Sequence, residues 1–376
     1  MAEVWVTDAT AVTALGRNLD ELWQRLLSGH SAIAPVERFS VKGYKSRFAA
    51  CIKDLNASGA PSMIHDLLGR LYPEMGSVPT DARLYTATTK AGIDNLERMR
   101  RGGASDPSDI LVASITKQVG RQLGLTCPGA NISAACASSA IAVAKGAALI
   151  AAGLAECVLV CCVDLVTEFV FSGFSSLGAL SPVPSMPFDR NRSGLTLGEG
   201  AASVLLMSSH RAKKEGRPHL GTVLGWGMAS DAFHVTAPAP DGCGLVAAVE
   251  QSLKRAGLEP EAISAVCAHG TGTVHNDRME LTAFDQVFGN RRLPVYSIKG
   301  AIGHTIGAAG GIEVALGMKV LAEGLVPPTV GFSKGEPGTM GRVSSSPVAM
   351  PGNYLLSTNS GFGGINAALI LAKGRV

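Results

Sequence analysis

The sequence predicts an α/β protein built of two similar halves, on three observations. The chain has 376 residues, more than one ordinary domain holds. Hydrophobic residues make up 46% of it and charged residues 17%, which indicates a large core that excludes water. Segments typical of strands alternate with segments typical of helices along both halves, as in parallel sheets covered by helices.

The predicted elements follow in chain order, strands as short apolar runs and helices as longer segments of helical periodicity. The first half has strands at residues 3–6, 110–113, 156–163 and 201–207 and helices at 19–27, 82–99 and 138–152. The second half has strands at 221–227, 265–268, 295–298, 354–357 and 367–371 and helices at 244–256 and 311–322. A polar, basic segment, SSHRAKKEGRPH, separates the halves, so we predict two units, residues 1–212 and 213–376.

Composition and charge argue against several classes of protein. The net charge of +3 is too small to indicate nucleic-acid binding. The most apolar run, residues 140–166, is interrupted by Lys145, Gly153 and Glu156, so it predicts a buried helix and strand rather than a membrane span. The first residues lack the features of a signal peptide, and the eight cysteines have no regular spacing. We therefore predict a cytoplasmic protein.

Cys136 is the candidate nucleophile. It lies in NISAACASSAIAVAKG, where a strand-like run breaks into an Ala-rich helix that begins near residue 138. A thiol at a helix N-terminus meets unpaired backbone N–H groups and the helix dipole, which favour the thiolate. A buried structural cysteine is the alternative. The small residues around Cys136 favour the first interpretation because they allow a substrate to approach closely.

Two histidines in glycine-rich surroundings complete this constellation. His269 lies in AHGTGT after a predicted strand, and His304 lies in KGAIGHTIGAAGG. One thiol and two such histidines indicate covalent acyl chemistry. A core or surface position is the alternative for His269. A phosphate-binding loop is the alternative for His304, disfavoured because the P-loop pattern is missing.

Charged residues near these histidines allow two further interpretations. Lys299 and Glu313 flank His304, where a charged pair can fix the orientation or protonation of the imidazole, although a surface ion pair is an equal alternative. His275 and Asp277 suggest a metal site, but two ligands in one loop are too few. We therefore predict no metal.

Seven blocks in this order resemble those of the β-ketoacyl-acyl-carrier-protein synthases. The blocks are SAACASSAIAVAKGAALIAAG, SGFSSLGALSP, MPFDRNRSGLTLGEGAASVLLM, SDAFHVTAPAPDG, AHGTGTVHNDRME, SIKGAIGHTIGAAGGIEVALG and NSGFGGINAALIL. The resemblance implies the thiolase-like fold: two pseudo-duplicated βαβαβ-type halves in five layers, αβαβα. It also implies an acyltransferase that extends an acyl group by decarboxylative Claisen condensation, in fatty-acid or polyketide biosynthesis.

The resemblance implies a role for each candidate. Cys136 would accept the acyl group, and His269 and His304 would polarise the malonyl thioester carbonyl. Lys299 would set the charge around His304, and Glu313 would bond Lys299 or its surroundings.

The remaining implied roles concern the substrate. Thr271 and Thr273 would bind the phosphopantetheine arm, which arrives on an acyl carrier protein, so that no bound cofactor is expected. Phe362 would be a gate beside the thiol and Gly363 a further substrate contact. The backbone N–H groups of Cys136 and Phe362 would form the oxyanion hole.

The chain departs from the family pattern in ways that bear on its partners. Several tens of residues usual in the family are expected to be missing between Ser114 and Ile115. Gly178 stands where the family often has a basic residue, and the basic residues that many members have just before position 81 are absent. His275–Asn276 stands where many members have a small residue followed by Gly. The carrier-docking surface is therefore predicted to be weak or displaced, with these candidates: Arg83, Lys90, Lys213 and Lys214.

A dimer is expected, either a homodimer or a heterodimer with a related synthase subunit. By the resemblance, the strand at residues 157–163 would pair across its two-fold axis. Two other functions stay open: a non-catalytic chain-length partner, which would lack the nucleophile, and a thiolase cleaving β-ketoacyl-CoA. A thiolase generally has a second catalytic cysteine, and no cysteine follows Cys267.

Overall fold

The computed structural model describes residues 2–55, 60–350 and 352–374. The strands are β1 Val4–Thr13, β2 Ala34–Pro35, β3 Phe48–Ala50, β4 Arg83–Ala87, β5 Ala130–Ile132, β6 Cys157–Asp164, β7 Leu197–Gly198, β8 Gly200–Ser208, β9 Gly221–Ser230, β10 Ala265–Cys267, β11 Val295–Tyr296, β12 Leu325–Val326, β13 Val348–Ala349, β14 Tyr354–Gly361 and β15 Ile365–Lys373. The α-helices are α1 Leu19–Leu27, α2 Met63–Leu71, α3 Asp94–Arg100, α4 Val112–Gln122, α5 Ser138–Ala151, α6 Glu168–Ser176, α7 Ser209–Lys214, α8 Cys243–Ala256, α9 Val274–Phe288, α10 Lys299–Ile302 and α11 Ala309–Glu323.

One large mixed sheet repeats the same strand order twice. Its order is β11-β10-β14-β15-β9-β1-β8-β6-β4-β5. Numbered within each half, both halves read 3-2-4-5-1, with the fifth strand antiparallel to its neighbours. A short antiparallel contact between β1 and β9 joins the halves. The predicted duplication is confirmed by this order, whereas the division at residue 212 stays a prediction.

Helices cover both halves and fill the space between them. Helices α5 and α11 contact each other and strands of both halves, so they form a central layer. On the outer faces, α2 and α4 pack on the first half, and α8 and α9 lie together over the second. The result is the predicted αβαβα arrangement. It buries β6 on every residue, which explains the nearly continuous apolar run of that strand.

Two element predictions in the first half are wrong. Residues 82–99 are not one helix but strand β4 followed by helix α3, because β4 pairs with β5 and β6 inside the sheet. Residues 110–113 are not a strand but lead into helix α4, where Leu111 is 65% exposed. Helix α4 runs without interruption through Ser114 and Ile115. The expected missing segment between Ser114 and Ile115 is not tested by this helix and stays a prediction.

The dimer strand was also predicted wrongly. Strand β6 is paired along its length with β4 on one side and β8 on the other. Its backbone groups are therefore used inside the sheet and cannot pair with a second chain. In the part of the chain that the structure describes, the outermost strands of the large sheet are β5 and β11.

Candidate active site

Cys136 lies in a sharp turn between β5 and α5. Ala135 has a positive φ of 47°, unusual for a residue with a side chain. Ser138 fixes the turn: its hydroxyl donates to the Ala135 carbonyl at 2.6 Å and accepts from the Ala134 N–H at 2.8 Å. Gly361, at the end of β14, packs closely against this turn, since a Cβ there would lie 3.2 Å from the Cys136 nitrogen. The turn thus presents the thiol at the junction of the two halves.

Burial controls the protonation of Cys136. The side chain is only 5% exposed, and burial raises the pKa of the thiol to about 12, while the Lys299 charge and the Phe362 N–H oppose this rise. The expected stabilisation of the thiolate is therefore outweighed by desolvation. The thiol is neutral near pH 7 and needs a base to react.

His304 is placed to be that base. Its Nε2 lies 2.9 Å from the Cys136 sulfur, within hydrogen-bond distance for a thiol. Its backbone N–H donates to the Thr196 carbonyl at 2.7 Å, which ties the loop after α10 to the first half. Burial, and then the Lys299 charge, lower the pKa of His304 well below its usual value. A neutral imidazole thus faces a neutral thiol.

His269 lies beside His304, with ring centroids 5.1 Å apart and the rings nearly perpendicular. The pKa of His269, like that of His304, is lowered well below its usual value, first by burial and then by the charges of Lys299 and His304. One ligand atom from each of Cys136, His269 and His304 lies within 4.8 Å of the other two, a set able to hold a metal. The prediction of no metal is untested.

Glu280, which the sequence analysis missed, holds the His269 loop. Its carboxylate accepts from the backbone N–H groups of His269 at 2.6 Å and Gly270 at 2.7 Å. Burial and the neighbouring Asp277 raise the pKa of Glu280 to about 8. Asp277 bonds the Phe188 and Gly272 N–H groups and is fully buried, so it supports the loop. The sequence signal that could have identified Glu280 is its spacing from Asp277: two acidic residues three positions apart lie on one face of a helix.

Lys299 and Glu313 form a buried ion pair at 2.5 Å behind the histidines. This excludes the surface ion pair considered from the sequence, since the two side chains are 2% and 1% exposed. Asn359, also missed, links the pair to His269. Its Nδ2 donates to Glu313 Oε2 at 2.7 Å and lies 3.5 Å from His269 Nδ1.

A cavity of about 330 Å³ leads to this group. Cys136, His269 and His304 line it, as do these other predicted or newly found residues: Thr271, Thr273, Phe362, Gly178, His275, Asn276 and Thr236. Among the described residues, its lining contains no Lys, Arg, Asp or Glu.

Three of the four residues predicted to bind substrate line the cavity. The Thr271 and Thr273 hydroxyls are 3.0 Å apart. The Phe362 ring lies 5.6 Å from that of Phe174. Gly363 is not part of the lining: its N–H bonds the Val235 carbonyl at 2.7 Å, which anchors the loop that carries Phe362.

Three of the four candidate carrier-docking residues lie at the wrong end of the sheet. Arg83 begins β4, and Lys213 and Lys214 follow β8, at the end where Cys157 begins β6. The catalytic end is that of Asp164, whose carboxylate accepts from Gly307 N–H near His304. Of the four, Lys90 lies at the catalytic end, because it follows Thr89, which also bonds Asp164.

Comparison with known proteins decides the family. Residues 79–212 match the model "Beta-ketoacyl synthase, N-terminal domain", and residues 220–333 match "Beta-ketoacyl synthase, C-terminal domain". The chain belongs to the β-ketoacyl synthase family. It is 30% identical to 3-oxoacyl-[acyl-carrier-protein] synthase 2 of Synechocystis sp. over 98% of both chains, and 29% identical to the Vibrio cholerae synthase 2 over 98% of this chain and 99% of that protein.

Solved structures agree with this family. A β-ketoacyl synthase from Burkholderia phymatum has a TM-score of 0.88 at 26% identity over the whole of both chains. The ishigamide ketosynthase/chain length factor has a TM-score of 0.90 at 26% identity over 99% of each chain. The predicted family and its thiolase-like fold are confirmed. This β-ketoacyl synthase is a condensing enzyme of the acyltransferase class.

No helix in the described ranges is both long enough and apolar enough to cross a membrane.

Proposed function

We propose that this β-ketoacyl synthase accepts an acyl group on Cys136 and condenses it with a malonyl thioester delivered by an acyl carrier protein. The observation that carries this proposal is the 2.9 Å contact between the Cys136 thiol and neutral His304, with His269 alongside at the base of one cavity. A nucleophile within hydrogen-bond reach of a base is the arrangement that covalent catalysis needs.

In the first step the acyl group moves to the thiol. His304 accepts the thiol proton as the sulfur attacks the acyl carbonyl. The tetrahedral oxyanion would be held by the N–H groups of Cys136 and Phe362, the second of which also lowers the pKa of the thiol. Collapse of the intermediate forms the Cys136 thioester and releases the carrier thiolate, which takes up the proton.

In the second step the malonyl thioester loses CO₂. The electron pair of the broken carbon–carbon bond becomes part of an enolate, whose oxygen is stabilised by a hydrogen bond from His269. The enolate carbon then attacks the Cys136 thioester. The new carbon–carbon bond forms, and the Cys136 thiolate leaves and takes up one proton from water by way of His304.

The hydroxyls of Thr271, Thr273 and Thr236 line the cavity, where they would bond the amides of the phosphopantetheine arm. In this proposal the phosphopantetheine arm arrives on the carrier-protein substrate, so the reaction needs no separately bound cofactor. The uncharged lining suits the uncharged pantetheine part of the arm and an uncharged acyl chain.

We also propose that a second synthase subunit, identical or related, binds along β5. This edge strand lies two residues before the Ala134–Cys136 turn, and its outer backbone groups have no strand partner among the described residues. One solved relative is a ketosynthase in complex with its chain length factor from Xenorhabdus doucetiae, 26% identical with a TM-score of 0.85. The cytoplasmic location stays a prediction.

Mass spectrometry tests the nucleophile. After incubation with an acyl thioester, the Cys136 peptide should gain the acyl mass, and adding malonyl carrier should release CO₂ and β-ketoacyl product. Cys136→Ser should lose the acyl mass gain and the β-ketoacyl product. Cys243→Ser is the matched control, because Cys243 is exposed at the first turn of another helix. Condensation by Cys136→Ser at the wild-type rate would refute the proposal.

A further inference from the structure

Asn359 connects the catalytic histidine to the buried ion pair. It lies near the end of β14, is fully buried and is adjacent to the cavity-lining Ser360. Its Nδ2 lies between two partners: Glu313 Oε2 at 2.7 Å and His269 Nδ1 at 3.5 Å. The chain Lys299–Glu313–Asn359–His269 therefore joins four side chains that are each at most 2% exposed.

The carboxylate of Glu313 fixes the orientation of the Asn359 amide. An ionised carboxylate only accepts hydrogen bonds, so the amide must turn its NH₂ group, not its oxygen, toward Glu313. Lys299, at 2.5 Å, keeps a positive charge beside that carboxylate. The amide oxygen is accommodated at Gly310, where a Cβ would lie only 2.7 Å from Asn359 Oδ1. That oxygen has no hydrogen-bond partner among the described residues, so Glu313 alone sets the orientation of the amide.

The amide orientation in turn selects a tautomer of His269. The NH₂ group has two hydrogens, and the one that Glu313 leaves free faces His269 Nδ1. A donor there matches only an unprotonated Nδ1. The proton of the neutral imidazole then resides on Nε2.

We propose that Asn359 is a positioning residue that holds His269 in its Nε2–H tautomer, ready to donate to the carbonyl oxygen of the malonyl thioester. The role of this tautomer in the reaction rests on the proposed function, whereas the tautomer itself does not depend on it. The two histidines then have different hydrogen-bonding roles before substrate arrives, since His304 Nε2 faces the thiol as an acceptor and His269 Nε2 is a donor.

Nitrogen NMR on protein labelled with ¹⁵N-histidine reads the tautomer directly, with His269→Ala used to assign the signals. The wild-type protein should show His269 Nδ1 without a proton. Asn359→Asp replaces the donor by an acceptor of the same shape, so the proton should move to Nδ1. Malonyl decarboxylation should then fall by about 10²–10³-fold, the usual loss for one catalytic donor, while acylation of Cys136 stays near the wild-type rate.

Asn95→Asp is the control for burying a carboxylate beside another. Asn95 is fully buried in helix α3 and its Nδ2 donates to Asp109 Oδ2 at 3.0 Å, in a hydrogen-bond network that includes neither His269 nor His304. If it gives the same selective loss of decarboxylation, the effect of Asn359→Asp is structural and the inference is wrong.

Asn359→Ala keeps the test decisive if the aspartate variant does not fold, because it removes the donor without adding charge. It should allow both His269 tautomers and lose decarboxylation selectively. A protonated Nδ1 in the wild-type protein, or an unchanged tautomer in both variants, would overturn the inference. Failure of wild-type condensation with the expected tautomer intact would count against the proposed function alone.

Discussion

Removing the charge of Lys299 should change both the stability and the pH dependence of the enzyme. Lys299 and Glu313 are 2% and 1% exposed and lie 2.5 Å apart. In Lys299→Met, Glu313 is left as an unpaired buried carboxylate, which typically costs about 3–5 kcal/mol in the free energy of unfolding. Replacing both partners, as in Lys299→Met/Glu313→Gln, removes the unpaired charge, and Gln still accepts from Asn359. The double variant should therefore regain most of the lost stability.

The same substitution should shift the acid limb of the activity profile. Lys299 lowers the pKa of both His269 and His304, in addition to the larger effect of burial. Without Lys299, and with Glu313 still negative, both pKa values rise. Imidazolium then forms at a higher pH than in the wild-type protein. Because His304 must be neutral to take the thiol proton, activity of Lys299→Met should fall as the pH decreases through a region where the wild-type enzyme is still active.

Two measurements check these expectations. Urea unfolding of the wild-type, single and double variants gives the stabilities, and CO₂ release between pH 5 and 8 gives the profiles. A double variant no more stable than Lys299→Met would contradict the electrostatic reasoning about the pair. Superimposable pH profiles of the wild-type and Lys299→Met proteins would contradict the assignment of Lys299 as the charge that keeps the histidines neutral.

Three other predictions use the same assays. Cys136→Ala should abolish acyl transfer while leaving urea unfolding nearly unchanged, and an active alanine variant would refute the nucleophile. Glu280→Gln puts an amide NH₂ among backbone donors that need an acceptor, which should cost about 1–3 kcal/mol and lower the condensation rate more than acylation; wild-type stability would show that the carboxylate does not hold the loop. Sedimentation should show a dimer at micromolar concentration, and an active monomer would exclude the proposed β5 interface.

The candidate trio Cys136, His269 and His304, which the structure brings together, was predictable because its signals are local. Cys136 precedes an Ala-rich helix predicted at 138–152 and found at Ser138–Ala151, and both histidines follow short strands in loops rich in glycine. His304 is separated from strand β11 by the short helix α10, but it still lies in a glycine-rich block, so each residue could be recognised within its own block of sequence. The repeated topology was predictable in the same way, from the alternation of apolar strands with longer helical segments.

The failures in the first half have a common cause. The segment at 82–99 has helix-forming residues, yet Arg83–Ala87 becomes a strand because it fills the position between β5 and β6. The apolar run at 110–113 looked like a buried strand, yet it lies partly exposed at the start of α4. In both places the tertiary position overrides local preference, and a single sequence gives no sign of that position.

The hydrogen-bond network that supports the site could not be predicted from the sequence, for a related reason. Asn359 and Glu280 act through atoms of residues that are 46 and 11 positions away, on other elements. Their roles depend on which amide or carboxylate atom faces which partner. Burial likewise reverses the expected charge of Cys136: the helix N-terminus favours the thiolate, but exclusion of water dominates and leaves a neutral thiol dependent on His304. The proposed reactivity therefore rests on an uncharged trio whose protonation is set mainly by burial, with the Lys299 charge as a smaller influence.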